Sequence, residues 1–364
     1  MKIVAHRSSV VALPADEPLA DAPERPDATR PTVVLELLTD DGLEGIGFTF
    51  LGAGLTRALH AAVQDLAATI VGMDALCAEA VHRKLRHAAE GAGPGGIFTL
   101  ALAAIDIALW DLRGKAAGLP LWKLLGGSGE PVATYASGAL MRGLSLDAAV
   151  ASAGRLVDRG FHAMKMQLAL PLPTSPAREV ERARRVREAI GPDVGLMCDI
   201  NQRWRIDQAI AMGRRLEDVG FAWLEDIGPH DDYAGLAHAA DVLATPLAGG
   251  EYVYGLTPFR HMLQARAVDI AMIDPFRVGG ITAWLKVAGM AEAFGVPVVS
   301  HLAPEIQVHL VGSVRNGLTV EYMPWSIRLF EEVPRPHEGC LPMPVGAGLG
   351  LRLDREALQR FRAS

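Results

Sequence analysis

Val194-Gly-Leu-Met-Cys-Asp199, Phe221-Ala-Trp-Leu-Glu225 and Pro246-Leu-Ala-Gly-Gly-Glu251 are three short apolar runs, each ending on a carboxylate and each followed by helical periodicity. A strand this apolar is covered on both faces, as in a parallel sheet flanked by helices. The pattern extends in both directions. Phe161-His-Ala-Met-Lys165 precedes it, and Val268-Asp-Ile-Ala-Met-Ile-Asp274, Gly295-Val-Pro-Val-Val-Ser-His301 and Leu318-Thr-Val-Glu321 follow. The polar residues that close these runs stand at 165, 199, 225, 251, 274, 301 and 321, a spacing that suits strand-helix units. With Pro131-Val-Ala-Thr-Tyr135 as a first strand the count reaches eight, which predicts an α/β fold closed into a (β/α)-barrel. An open doubly wound sheet would carry a Gly-rich phosphate turn after its first strand, and none stands there.

Ser145 and the pair Ser175-Pro176 predict helix starts, with Gly160 and Gly191 as stops. Arg178, Arg182, Arg184, Arg185 and Arg187 read as the solvated face of the second of these helices. Asp207 and Thr257-Pro258 open later ones. Residues 1–125 follow another grammar. Thr32 to Leu38, a turn at Asp40-Asp-Gly42 and Gly45 to Phe50 form a hairpin pattern, followed by helices, notably Thr99 to Ala117. The expected organisation is an α+β segment over 1–125, the barrel over 126–330, and a Pro/Gly-rich tail over 331–364 that rejoins the first part. The Pro/Asp/Ala-rich stretch from Ala12 to Pro31 is a candidate lid.

A chain of 364 residues buries a sizeable core, and half its residues are hydrophobic, so disordered and fibrous classes are excluded. Its 35 basic and 42 acidic residues leave a net charge of -7 with no Lys/Arg block, which argues against a nucleic-acid partner. Cys77, Cys198 and Cys340 suit neither a disulfide framework nor a zinc spacing, and a reducing cytoplasm is the expected compartment. No export signal and no membrane span is expected.

In such a barrel the strand C-termini face the active site. Asp199, Glu225 and Glu251 end three consecutive strands, so their carboxylates converge. Hard oxygen donors without His or Cys favour Mg²⁺, and a divalent cation would relieve their repulsion. Across the ring Asp274 and His301 end adjacent strands. A carboxylate on one imidazole nitrogen fixes the tautomer and makes the other nitrogen a general base. Lys165 stands where an ammonium neutralises a developing oxyanion, and Glu321 would donate a hydrogen bond there if the acidic ring raised its pKa. The expected chemistry is loss of the α-proton of a carboxylate substrate to His301, through an enediolate.

These residues, with Ile105-Asp-Ile-Ala-Leu-Trp-Asp111, Leu124-Leu-Gly-Gly127, Asp199-Ile-Asn201 and Val278-Gly-Gly280, make the chain resemble the enolase superfamily, in its mandelate racemase-like branch. The resemblance implies Mg²⁺ at Asp199, Glu225 and Glu251, an Asp274/His301 base dyad, and Glu321 bonded to the substrate carboxylate. It also implies an N-terminal cap, completed by the C-terminal tail, whose lid within residues 13–31 selects the substrate. Asn201 would bond a substrate hydroxyl and Ser137 its carboxylate. Such proteins often assemble as homo-oligomers, from dimers to octamers.

The chain departs from the branch at one position. Where Lys-x-Lys is usual, it has Lys165-Met166-Gln167, and Gln167 points to the same side of the strand as Lys165. An amide cannot take a proton, although it can bond a hydroxyl. That weighs against racemisation and favours one-base syn dehydration of an acid sugar, an aldonate or aldarate, to a 2-keto-3-deoxy acid. The alternatives are a racemase, epimerase or cycloisomerase, and, from another class, a catalytically silent metal-binding protein.

Overall fold

The computed structural model describes residues 1–22, 27–50, 53–93 and 95–363. Three strands, β1 (Ile3–Pro14), β2 (Thr29–Thr39) and β3 (Glu44–Thr49), form an antiparallel sheet in that order. Helices α1 (Thr56–Thr69), α2 (Ala78–Ala88) and α3 (Gly96–Ala117) pack with it, and α4 (Leu121–Leu124) leads out. Most of α3 is buried, as its apolar composition on all sides requires. Gly45 and Gly47 permit its close approach to β3: a Cβ at Gly47 would lie 1.9 Å from the Ala104 carbonyl oxygen.

The barrel follows: β4 (Val132–Leu140), α5 (Leu146–Asp158), β5 (Ala163–Gln167), α6 (Pro176–Ile190), β6 (Gly195–Asp199), α7 (Ile206–Leu216), β7 (Leu224–Glu225), α8 (Tyr233–Val242), β8 (Leu247–Gly249), α9 (Leu256–Gln264), β9 (Ile270–Ile273), α10 (Ile281–Ala293), β10 (Val298–Ser300), α11 (Pro304–Val311) and β11 (Gly317–Tyr322). These eight strands pair in parallel in chain order, and β11 closes on β4 with Glu321 beside Tyr135. A short β12 (Cys340–Leu341) pairs antiparallel with β4, and α12 (Arg355–Arg360) ends the chain. The C-terminus returns to the first sheet, where Ala12 N–H donates to the Phe361 carbonyl and Ala363 N–H to that of Val10.

Inside the barrel, Tyr135, Met197, Trp223, Ala248, Ile270, Met272 and Val299 make a separate apolar plug. Side chains alternate along a strand, so the residue two positions beyond a plug residue again faces inward. Asp199, Glu225, Asp274 and His301 stand two positions beyond Met197, Trp223, Met272 and Val299, and the plug thereby forms the floor of a polar mouth.

Several details differ from the sequence reading. The N-terminal strand β1 was not expected, and with β2 it takes in both ends of the predicted lid, leaving 15–28. Residues 23–26 of that stretch lie outside the described residues. Arg182 does not face solvent, and Arg187 does so only in part: Arg182 is buried and donates to the carbonyls of Met141 and Leu144, while the half-buried Arg187 donates to those of Gly191, Val194, Val219 and Gly220. A guanidinium can serve several loop and helix-end carbonyls at once, which hydropathy cannot register. Helix α9 begins at Leu256 after Gly255, one residue before the predicted cap. Among the described residues no helix is long and apolar enough to cross a membrane.

Candidate active site

Lys165, the third residue of β5, is buried at the mouth. Its Nζ lies 2.5 Å from Glu225 Oε1 and 2.7 Å from Glu321 Oε1, with the Tyr135 ring beneath it at 5.7 Å. Burial disfavours the ammonium, but the two carboxylates override it and hold the lysine well above its ordinary value. Burial would likewise raise Glu321. The Lys165 ammonium, then His301, outweigh it and hold this carboxyl down at about 2, while Leu302 N–H donates to its Oε2 at 2.7 Å. Glu321 is therefore a carboxylate. That corrects the expectation of a protonated donor: the lysine sits directly against it, and a local cation decides over a diffuse acidic ring.

Asp274 and His301 meet as expected from their adjacent strand ends. His301 Nδ1 lies 2.6 Å from Asp274 Oδ2. Asp274 Oδ1 accepts the backbone N–H groups of Phe276 and Arg277 at 2.8 and 2.7 Å, which fixes the carboxylate. Burial would raise Asp274, yet the imidazole bond and the Arg277 guanidinium lower it. His301 Nε2 turns to Glu251 Oε2 at 3.1 Å. Burial opposes the imidazolium, but Glu251 and Asp274 prevail and push His301 up to about 9.

Asp199, at the end of β6, accepts from Asn201 N–H at 2.7 Å and from Asn201 Nδ2 at 2.6 Å. Gln167 Nε2 donates to Asn201 Oδ1 at 3.0 Å, and Arg142, in the turn after β4, reaches the same oxygen at 2.5 Å. Gln167 and Asn201 thus share one polar cluster beside Asp199. Arg142 had no sequence signal, because its turn is irregular and its target lies two strands away. Ser137 Oγ is buried and, among the described residues, has no hydrogen-bond partner.

Burial first, and then neighbouring carboxylates, raise Asp199 to about 6 and Glu225 to about 8, although Lys165 opposes both shifts. Asp226 is held well above its ordinary value, by burial first and then by Glu251, Glu225 and Asp199, and its Oδ2 has no partner among the described residues. Carboxylate oxygens of Asp199, Glu225 and Asp226 lie within 4.8 Å of one another. An all-oxygen, desolvated, mutually repelling donor set fits a hard divalent cation. Glu251 faces the same mouth but points at His301. Asp226 was missed by the sequence reading, although it directly follows Glu225. Trp223, whose Nε1 donates to Glu225 Oε2 at 3.1 Å, and Arg277, which donates to the Glu251 carbonyl at 3.0 Å, were missed too.

The described part of the predicted lid is pinned over this mouth. Glu17 pairs with Arg30 and accepts from Trp325 Nε1 at 3.1 Å, and Asp16 pairs with Arg328 at 2.8 Å.

Residues 17–126 match the mandelate racemase/muconate lactonizing enzyme N-terminal domain, and residues 148–357 match the enolase C-terminal domain-like family. The chain belongs to the mandelate racemase/muconate lactonizing enzyme family. Within it, the chain is 30% identical to L-talarate/galactarate dehydratase of Salmonella typhimurium over 96% of its own length and 88% of that protein's. It is 31% identical to 3,6-anhydro-alpha-L-galactonate cycloisomerase of Streptomyces coelicolor over 98% of both chains. Among family members of known structure, L-talarate dehydratase from a Polaromonas species, solved with Mg and L-glucarate, superimposes with a TM-score of 0.92 at 30% identity, covering 100% of this chain and 98% of that one.

Proposed function

We propose that this chain is a magnesium-dependent acid-sugar dehydratase. Similarity to dehydratases and cycloisomerases of sugar acids supports this reaction class. The observation that carries dehydration over isomerisation is the asymmetry of the mouth. A buried His301–Asp274 dyad at 2.6 Å ends β9 and β10, whereas β5 ends on an amide, Gln167, bonded to Asn201, at the position where a second base would stand. An amide neither accepts nor delivers a proton at working pH, so proton traffic at the α-carbon runs through one face.

When Glu251 releases His301, the charge that raises the imidazole is withdrawn, and its neutral Nε2 removes the C2 proton of a 2,3-dihydroxy acid. The imidazolium, held in orientation by Asp274, returns that proton to the departing C3 hydroxyl, which leaves as water. The resulting enol tautomerises to a 2-keto-3-deoxy acid. Lys165 neutralises the oxyanion that develops on the substrate carboxylate, and Glu321 keeps Lys165 charged and in place. Asp199, Glu225 and Glu251 would hold Mg²⁺, which supplies Lewis-acid charge to the substrate carboxylate when bound. Asn201 and Gln167 bond substrate hydroxyls, and the unpartnered Ser137 Oγ is a donor for the carboxylate.

The test is incubation with Mg²⁺ in D₂O across a panel of acid sugars, reading both keto-acid release and deuterium at C2. Keto acid that disappears with chelator and falls at least a thousandfold in His301→Asn supports the reading. Deuterium exchange with inversion and no keto acid would replace it with epimerisation. Metal binding with neither signal would favour a silent binding protein.

A further inference from the structure

Between β3 of the cap and the ends of β9 to β11 lies a cavity of about 210 Å³. Its apolar walls are Phe48, Phe50, Phe276, Leu302, Met323 and Trp325, and Arg30 is the charged residue that lines it. Three of these are chain neighbours of the site. Leu302 follows His301, Phe276 stands two residues after Asp274, and Met323 two after Glu321. The cavity therefore lies beside the strand ends that carry Asp274, His301 and Glu321, on the β9 to β11 side of the mouth. Phe276 packs its ring against Phe50 at 5.2 Å and against Phe48 at 5.3 Å, so this wall is a fixed aromatic surface.

The charged residues at its rim are already neutralised by one another. Arg30 stacks on Trp325 at 4.2 Å, forms an ion pair with Glu17, and donates to the Pro14 and Asp16 carbonyls at 3.1 and 2.8 Å. Glu17 also holds the Trp325 indole. A Cβ at Gly138 would lie 3.0 Å from Glu17 Oε2, which places this carboxylate at the mouth end of β4. A second anionic group brought into the cavity would meet Glu17 and ring faces, in a place where burial already makes charge expensive. A terminal CH₂OH or CH₃ would meet complementary apolar surface.

We propose that the substrate is a monocarboxylic sugar acid whose far end is uncharged, and that Glu17 together with this aromatic cavity excludes the dicarboxylates. The inference rests on the dehydratase reading and narrows it from acid sugars in general to aldonates and their terminal deoxy forms.

The experiment compares three oxidation levels of C6 on each hexose configuration: the 6-deoxyhexonate, the hexonate and the hexarate, all with Mg²⁺ and keto-acid detection. For the configuration that is accepted, the deoxyhexonate and hexonate should be used with kcat/KM at least a hundredfold above that of the hexarate. Glu17→Gln, which removes the opposing charge and leaves Arg30 positive, should raise the hexarate-to-hexonate ratio at least tenfold. Hexarate turnover within tenfold of the hexonate would overturn the inference while leaving dehydration standing. An unchanged ratio in a folded Glu17→Gln would overturn the assignment to Glu17, and the wild-type series decides the substrate class even if that variant fails to fold. Absence of keto acid from every configuration at every level would overturn the dehydratase reading itself, and the inference with it.

Discussion

Acidification should weaken the junction between the barrel and its C-terminal tail through one histidine. His309, on α11, is fully buried. Its Nδ1 lies 3.1 Å from the Trp122 N–H, and its Nε2 lies 3.1 Å from the Leu349 carbonyl oxygen. A carbonyl only accepts and a backbone N–H only donates, so the proton sits on Nε2 and the ring is neutral. Protonation of Nδ1 would set N–H against N–H in a dry place. Burial accordingly holds the imidazole down at about 4, against 6.5 in the open chain, despite the bond to Leu349. Above pH 6.5 both folded and unfolded chains carry it neutral, and its contribution is complete. Between 6.5 and 4 the unfolded chain takes the proton and the folded chain does not, so stability is lost as pH falls and levels off below 4. The gap corresponds to about 3 kcal/mol in all, with about 2 kcal/mol lost by pH 5. His309→Gln is the control, since its amide can accept from Trp122 and donate to Leu349 without titrating. In urea unfolding, the stability of wild type relative to this variant should fall by about 2 kcal/mol from pH 7 to pH 5. A constant difference would refute the desolvated, neutral His309.

Three further substitutions test other parts of the molecule. Asp274→Asn keeps the size of the side chain but loses the charge that orients His301, and kcat should fall about 10²- to 10⁴-fold with substrate KM little changed. Residual activity within tenfold would count against the dyad. Gln167→Lys places an amine opposite His301, and substrate recovered from D₂O should then contain the C2-inverted epimer carrying deuterium. Failure to find it would mean that position 167 does not face the α-carbon. Gly280 has φ +97°, and a Cβ there would lie 2.4 Å from Asp106 Oδ2, the atom that accepts Thr282 N–H. Gly280→Ala should cost about 2 kcal/mol or more in urea unfolding. A loss below 0.5 kcal/mol, on the order of an ordinary surface change, would show that the turn relaxes.

The barrel was legible because each of its strands repeats one local grammar and each site residue ends such a strand. Asp199, Glu225, Asp274, His301 and Glu321 could be placed at the mouth by counting alone, since period-two alternation aims every second side chain inward. What could not be counted was lateral reach. Arg142 arrives from an irregular turn, and Arg182 and Arg187 answer carbonyls that sequence patterns do not display. Strand β1 escaped because Ser8, Ser9 and Arg7 interrupt its apolar run, and its pairing with β2 is non-local. Register against Thr29 to Thr39 holds it in place, not its own composition. The state of Glu321 escaped for a related reason: the strand positions give a ring of acids, whereas the pKa depends on which carboxylate Lys165 touches.

The distribution of charge around the mouth also assigns a direction to the substrate. Glu225 and Glu321 share Lys165, and Asp274 is answered by His301 and by Arg277 at 3.6 Å. Asp199 receives neutral amide donors, and Asp226 Oδ2 has no partner among the described residues. Uncompensated negative charge is thus concentrated at the ends of β6 and β7, where a divalent cation and, through it, a substrate carboxylate are favoured. The opposite arc, from β9 to β11, carries the aromatic cavity. The proposed aldonate matches both, anionic at one end and uncharged at the other, with its α-carbon between them. On the proposed reading, the metal site holds the carboxylate of an aldonate and the aromatic cavity its uncharged end, and a second carboxylate there would meet ring faces and Glu17.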